Sequence, residues 1–503
     1  MSESARGGTA GPELFGSRWG LLLATLGMAV GTGNIWRFPR IVATNGGGSF
    51  LVAWVCFLLL WSIPLMIVEL SFGKRSRRGT VGAFHRLAGE KKAWMGGWVA
   101  LCATAIMFYY SVVAGWCLRY LWASLTGELA QRTSEDLWSS YAESGGAVMT
   151  HVLAMGSAFA VVWFGVRGIE RVAKVLIPTL ALLVVILAVR AVTLPGAERG
   201  LEFLFSPDWA ALGQPKIWLE ALTQNAWDTG AGWGLILSYA IYMRVREDVP
   251  LNAFLVGFGN NSISLLAGIM VLCTVFAIQP QAHEQIVGAG NEGLTFVWMP
   301  RLFTEMPGGG VFMMLFFLAL SFAALTSLIA MLELATRVLM DFGAERRRAL
   351  SWVGGIGLVF GLPSALSMEV FANQDWVWGL GLMLSGLLFA LGARSFGLER
   401  LRKEVVNAPG ADLTIGRWWT FVVGVLVPLE AVVLLVWWLW QATRGQELLQ
   451  WLSPRSTFNV GTVVVQWGIA LLALLACNRW LREHLVDRAP RSGERSNPEV
   501  DST

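Results

Sequence analysis

About a dozen apolar runs, each of roughly twenty residues and separated by short polar stretches, dominate this 503-residue chain. A helix of about twenty residues spans the ~30 Å hydrocarbon core of a bilayer, where every backbone N–H and C=O must bond within its own segment. An all-α polytopic membrane protein of about 12 transmembrane helices is therefore expected. Composition agrees, with 55% of residues hydrophobic and only 14% charged, against the ~25% charged residues of an ordinary soluble domain. A soluble enzyme, a nucleic-acid-binding domain and a disordered scaffold are excluded. The net charge of +4 is too small to imply a polyanionic partner.

The runs lie near residues 17–39, 48–73, 95–124, 149–166, 171–193, 216–243, 250–280, 310–341, 348–367, 375–395, 417–442 and 458–483. Lys74, Arg75, Arg77, Arg78, Arg86, Lys91 and Lys92 follow the second run, whereas the loop after the third holds little beyond Arg132 and several acids. The positive-inside rule places the first of these loops in the cytoplasm. Alternation then puts Arg244, Arg246 and Arg346 to Arg348 inside, with both termini cytoplasmic, and the cell membrane is the expected location. The polar start from Met1 to Arg18 lacks a signal-peptide pattern, so the whole chain is read as mature protein. Cys56, Cys102, Cys117, Cys273 and Cys477 lie in or beside apolar runs, as small apolar side chains rather than a disulfide framework or metal site.

Two runs are unsuited to an ordinary membrane helix. The first contains Gly27, Gly31, Gly33 and Asn34 followed by Arg37, and the sixth contains Gln224, Asn225, Asp228, Gly230, Gly232 and Gly234. Such residues are tolerated at membrane depth where the backbone is broken and lines a protected cavity. One run opens the first set of five and the other opens the second set. Paired interruptions of this kind point to a 5+5 inverted-repeat transporter with its site at the midplane. The expected division is a cytoplasmic segment 1–16, a first five-helix repeat 17–193, an extracellular loop 194–215 and a second repeat 216–395. A cytoplasmic loop 396–416, helices 11 and 12 over 417–483 and a cytoplasmic tail 484–503 complete it.

A broken helix exposes carbonyls at one half's end, which suit a hard cation, and N–H groups at the next half's start, which suit a carboxylate. Asn34, Asp228, Asn260, Thr326 and Ser327 could complete a sodium shell with oxygen. A lone Asn or Ser in a membrane helix more often bonds a neighbouring helix. Asp228 differs, because a lone carboxylate there costs roughly 2.5–3.5 kcal/mol on insertion scales and is functional by default.

The residues Gly27-Met28-Ala29-Val30-Gly31-Thr32-Gly33-Asn34-Ile35-Trp36-Arg37-Phe38-Pro39, the following Asn45 to Phe50, Tyr109-Tyr110 with Trp116, Gln224 to Tyr242, Asn260, Gly293 to Val297 and Ala323 to Ser327 resemble the neurotransmitter:sodium symporter family. The resemblance runs in order from about residue 17 to 395. It implies two sodium sites. One uses the Ala29 carbonyl with Asn34, Asp228 and Asn260; the other uses the carbonyls of Gly27, Val30 and Ala323 with the hydroxyls of Thr326 and Ser327. The substrate's charged ends would meet Ala29, Gly31, Thr32, Gly33, Asp228, Ser327 and Tyr110, and its side chain would meet Met28, Ile106, Trp227, Gly230, Trp233 and Met331. For Ile106 and Met331 ordinary helix packing competes. The resemblance also pairs Arg37 with Asp375 as an outer gate, and Tyr242 with Asp341 as an inner latch. The latch's usual Arg is missing near Pro12, leaving Arg6 or Arg18 as substitutes.

Two departures bear on chemistry. Gly31 stands where monoamine carriers of the family place an Asp, which argues for an amino acid substrate. Asp228 stands where chloride-dependent relatives place a small hydroxyl, while Gln224, Asn260 and Ser264 keep the rest of that polar pattern. A carboxylate and a chloride there would repel, so chloride is not expected, although proton coupling through Asp228 remains a competing use. An apolar or aromatic L-amino acid is the first choice of substrate and a small osmolyte such as glycine or betaine the second. A transporter-like sensor without net flux is an alternative function. An enzyme is not expected, since His85, His151, His283 and His484 are scattered without nucleophile or metal-ligand spacing. The expected partners are the substrate and the lipid bilayer, without nucleic acid, and a homo-oligomer is left open.

Overall fold

The computed structural model describes residues 13–409, 411–444 and 457–486. Arg6, Pro12, Arg488, Arg491 and Arg495 lie outside the described residues, as does most of each terminal segment. Among the described residues there is no strand. The first pass is a pair of helices, α1 (Arg18–Ala29) and α2 (Phe38–Thr44). Four continuous passes follow: α3 (Gly48–Ser76), α4 (Glu90–Thr126), α5 (Gly145–Trp163) and α6 (Gly165–Val192). The sixth pass is again a pair, α7 (Pro215–Asp228) and α8 (Leu235–Ala240). Then come α9 (Val249–Ile278), α10 (Gly309–Asp341), α11 (Arg346–Leu366), α12 (Met368–Phe396), α13 (Trp418–Gln441) and the shorter α14 (Val460–Ala476). The expected order of passes, with breaks in the first and sixth, is the observed one. Several helices extend a few residues beyond their apolar runs, because helical bonding continues through the interfacial region whatever the side chains.

Four of the widened, π-type turns share a cause. They occupy Gly33–Arg37, Leu58–Ser62, Gly293–Trp298 and Val422–Leu426, and each ends two residues before a proline: Pro39, Pro64, Pro300 and Pro428. Proline lacks an N–H and its ring clashes with the carbonyl four residues back. Widening the preceding turn moves that carbonyl away while the segment stays helical.

Lipid tails are as apolar as leucine, so helices in a bilayer associate mainly by close packing at small residues. Gly73 of α3 lies against α8, where a Cβ would sit 2.3 Å from the Leu237 carbonyl oxygen. Gly115 of α4 lies against the backbone of Thr150 and His151 in α5. Trp61, Trp98 and Trp116 fill the interior, while Leu182, Val189, Ile469 and Leu472 point outward. Close glycine contacts thus sit at helix crossings, while a share of the aliphatic side chains faces lipid. That packing holds the two broken passes against α3, α6, α9 and α10.

Candidate functional site

The break in the first pass begins where α1 ends at Ala29. Val30 is extended, with φ −75° and ψ 92°, and hydrogen-bonded turns resume at Gly33. In the sixth pass α7 ends at Asp228 and α8 starts at Leu235. Between them Gly230, Gly232 and Gly234 have φ of +71°, +87° and +80°, a region that a Cβ makes costly. The N–H groups freed by this unwinding need acceptors. Glu69 of α3, fully buried, supplies them: its Oε1 accepts from the Gly232 N–H at 2.6 Å and its Oε2 from the Leu237 N–H at 3.2 Å. The sequence reading missed Glu69. Its signal was available, an acid alone within the apolar run Ile63 to Leu70.

Hydrogen bonding orients the Asn34 amide beside the break. Gly31 N–H donates to Asn34 Oδ1 at 2.8 Å, so Asn34 Nδ2 points away, donating to Asn260 Oδ1 at 2.9 Å and Ser264 Oγ at 2.7 Å. Asn260 therefore turns oxygen inward, where it lies 3.1 Å from the Ala29 carbonyl oxygen and 3.0 Å from that of Asp228. With the amide reversed, its nitrogen would donate to both carbonyls, but it would then face the Asn34 nitrogen. The Asn260 amide thus meets the Ala29 and Asp228 carbonyls either as a third oxygen, which suits a cation, or as a donor that satisfies both. These are residues of the first expected sodium site.

Asp228 stands at the edge of this cluster. Its Oδ2 accepts from Gln224 Nε2 at 3.1 Å and from Ser264 Oγ at 3.4 Å, and its Oδ1 is buried without a hydrogen-bond partner. The second expected set gathers where α1 crosses α10. A Cβ on Gly27 would lie 3.5 Å from the Thr326 Cβ, and Ser327 Oγ donates to the Met28 carbonyl at 3.2 Å. Thr326 Oγ1 donates within its own helix to the carbonyls of Phe322 and Ala323. Both hydroxyls thus direct their protons at carbonyls and keep lone pairs available for a cation. Val30 and Ala323 are buried beside them.

All thirteen residues expected at the substrate line one cavity, from Met28, Ala29, Gly31, Thr32 and Gly33 through Ile106 and Tyr110 to Trp227, Asp228, Gly230, Trp233, Ser327 and Met331. About 70 Å³ of it is open to the centres of water molecules, room for one small molecule. Thr32 N–H donates to the Tyr110 hydroxyl at 3.2 Å. Gly31 faces the narrowest part: a Cβ there would lie 2.9 Å from Ser327 Oγ and 3.1 Å from the Tyr110 hydroxyl. An aspartate at position 31 would have to displace one of them. Trp233 is anchored through its Nε1, which donates to the Ala226 carbonyl at 3.1 Å.

At both ends of the path the contacts differ from those expected. Arg37 and Asp375 both line the cavity mouth, but no ion pair joins them among the described residues. The Arg37 guanidinium lies over the Trp227 ring, 4.7 Å from its centroid, and its Nε is buried without a hydrogen bond. At the basic end Tyr242 donates to Glu333 Oε1 at 2.5 Å and has no hydrogen bond to Asp341. Asp341 instead lies 3.9 Å from Arg337, whose guanidinium is 6.0 Å from the Tyr242 ring. The basic group at this latch is Arg346, with its Nη2 2.5 Å from Glu333 Oε2. Arg18 pairs with Asp412 at the exposed surface instead. Sequence reading used Arg346 only for orientation, and Glu333 passed as part of an apolar helix.

Comparison with known proteins agrees with this geometry. A model of the sodium:neurotransmitter symporter family matches residues 12–144 and 136–485. An uncharacterised sodium-dependent transporter of Methanocaldococcus jannaschii is 30% identical over 84% of this chain and 90% of its own. A sodium-dependent serotonin transporter of Drosophila melanogaster is 28% identical over 79% of this chain and 72% of its own. Among solved structures, the crystal structure of MhsT in complex with L-phenylalanine aligns with a TM-score of 0.75 at 31% identity, covering 85% of this chain and 99% of that one. The chain belongs to the sodium:neurotransmitter symporter family.

Proposed function

We propose that the protein is a sodium-coupled symporter of an apolar or aromatic L-amino acid, working by alternating access and independently of chloride. The observation that carries this reading is the Asp228 carboxylate, one oxygen unpartnered, beside the Asn260 amide and the Ala29 carbonyl at the wall of a cavity for one small molecule. Sodium at Asn34, Asp228, Asn260 and the Ala29 carbonyl would draw oxygens of both broken passes together and stabilise the first-pass break in its binding geometry. A second sodium at Gly27, Val30, Ala323, Thr326 and Ser327 would tie α1 to α10. The substrate carboxylate would approach the Tyr110 hydroxyl and the N–H groups at the start of the resumed helix. Its side chain would lie among Met28, Ile106, Trp227, Trp233 and Met331.

Chloride independence follows from the contacts of Asp228. Gln224 and Ser264, part of the polar pattern that holds chloride in chloride-dependent relatives, here donate to a carboxylate. Two like charges 4 Å apart repel by roughly 4 kcal/mol at an effective dielectric constant of 20, so a bound anion is disfavoured while Asp228 is ionised. The basic loops orient both termini toward the cytoplasm. Arg346, Glu333 and Tyr242 form the cytoplasmic closure, and Arg37 with Trp227 and Asp375 forms the extracellular one.

Uptake into proteoliposomes under an inward sodium gradient tests the carrier function, with phenylalanine, leucine, glycine and betaine as candidate solutes. Accumulation of phenylalanine or leucine, abolished when the gradient is collapsed, is the expected outcome. Sodium-dependent binding without accumulation of any solute would identify a sensor, and accumulation of glycine or betaine alone would overturn the substrate assignment.

A further inference from the structure

Trp227 is a bulky residue in a confined place, and the shape of its surroundings determines how far it intrudes on the cavity. Its indole is bracketed on three sides. The Arg37 guanidinium covers a face at 4.7 Å, and the anchored Trp233 ring meets it edge-on, at 6.2 Å between centroids and 75° between planes. The outer edge of the six-membered ring lies against α12 at Gly379. A Cβ at that position would be 1.9 Å from Trp227 Cζ2, 2.6 Å from Cη2 and 3.0 Å from Cε2. Real carbon–carbon contacts begin near 3.5 Å. The indole therefore sits in a notch that exists only because residue 379 has no side chain. Gly379 is one helical turn after Asp375, on the same face of α12.

We infer that Gly379 is a specificity-determining residue: by receiving the Trp227 indole it sets the width of the substrate cavity and with it the largest side chain transported. The inference rests on the reading that this cavity binds an amino acid. A methyl group at position 379 has to displace the ring by about 1.6 Å to restore ordinary contact. Arg37 blocks displacement toward the face that it covers, and Trp233 blocks displacement toward its own side. The cavity that Trp227 already lines takes the displaced ring, and the space available to a substrate side chain shrinks. Loss of one methylene's worth of pocket discriminates by roughly 10–200-fold, and a displaced indole removes at least that much.

The test measures the ratio of phenylalanine to alanine uptake efficiency in proteoliposomes under a fixed sodium gradient. Gly379→Ala is expected to lower the ratio by about tenfold or more. Adding Trp227→Phe to that variant removes the atoms that collide and is expected to restore the ratio. Trp227→Phe alone, which adds no atom to α12, is expected to raise the ratio above wild type, and it reads the same quantity should Gly379→Ala fail to accumulate in the membrane. An unchanged ratio in Trp227→Phe, or a fall in Gly379→Ala that Trp227→Phe does not reverse, overturns the assignment. Those results are distinct from failure of the transport reading itself, in which the wild type accumulates neither amino acid.

Discussion

The two ends of the transport path are closed by different physics. At the end that the proposed orientation places in the cytoplasm, Glu333, with no exposed surface, is held by Arg346 at 2.5 Å and by the Tyr242 hydroxyl at 2.5 Å. The start of α1 is bound there as well: Phe15 N–H donates to the Tyr242 carbonyl at 3.1 Å, and Glu170 of α6 accepts from Gly16 N–H at 2.7 Å and Ser17 Oγ at 3.1 Å. At the opposite end, extracellular in the proposed orientation, Arg37 lies over an aromatic ring and forms no ion pair among the described residues. Buried charges are strongly destabilising when separated from their partners, whereas a cation–π contact is worth about 0.5–2 kcal/mol. One end is therefore a discrete latch and the other a soft lid.

The sharpest way to break that contrast is to remove half of the latch. Arg346→Ala leaves Glu333 buried and unpaired, with an expected cost of about 3–5 kcal/mol, read as a lowered unfolding midpoint in detergent and as cytoplasmic accessibility of a cysteine probe on α1. Adding Glu333→Gln removes the orphaned charge and should recover most of the stability but not the closure. A double variant as unstable as Arg346→Ala would show that the pair is not the latch. Glu69→Gln comes next. The amide offers one acceptor where the carboxylate offers two, so a charge-assisted bond to Gly232 or Leu237 is lost, at about 1.5–3 kcal/mol. The expected readout is weaker sodium binding by calorimetry, because the sixth-pass break is then less well held.

The soft lid should respond less. Arg37→Lys keeps the charge but gives up the planar stacking on Trp227, and the expected change is about 1 kcal/mol, near fivefold in substrate affinity. A loss of a hundredfold or more would mean that Arg37 forms a true ion pair in the substrate-bound state. The smallest effect belongs to Arg18, whose bond to Asp412 at 3.4 Å joins two exposed side chains. Arg18→Ala should change stability by no more than about 0.5 kcal/mol, as measured by thermal unfolding, and any larger shift would return Arg18 to the inner closure.

The same contrast explains what could be read from the chain alone. The broken helices were legible because glycine clusters and an acid within an apolar run violate a local rule that needs no tertiary information. The cavity walls that lie on those breaks followed, whereas Ile106, Tyr110, Ser327 and Met331 on other helices were implied only by the resemblance to the family. The latch was not legible in this way. Glu333 and Arg346 are separated by the turn between α10 and α11, and only the packed bundle shows that both reach Tyr242. Arg346 stood in a run of three arginines whose obvious use was orientation. Gly379 was invisible for a different reason: a glycine in a membrane helix is an ordinary packing residue until the ring that presses on it is seen. Asp341, expected at the latch, is instead occupied with Arg337 one turn away in its own helix.

Asp228 remains the point on which the functional account turns, and replacing chloride tests it most directly. With sodium and its gradient held fixed, uptake by proteoliposomes should be unchanged when chloride is exchanged for gluconate on both sides, and Asp228→Ser should make uptake chloride-dependent. A large loss of wild-type uptake in gluconate would contradict the claim that the Asp228 carboxylate stands in for the anion.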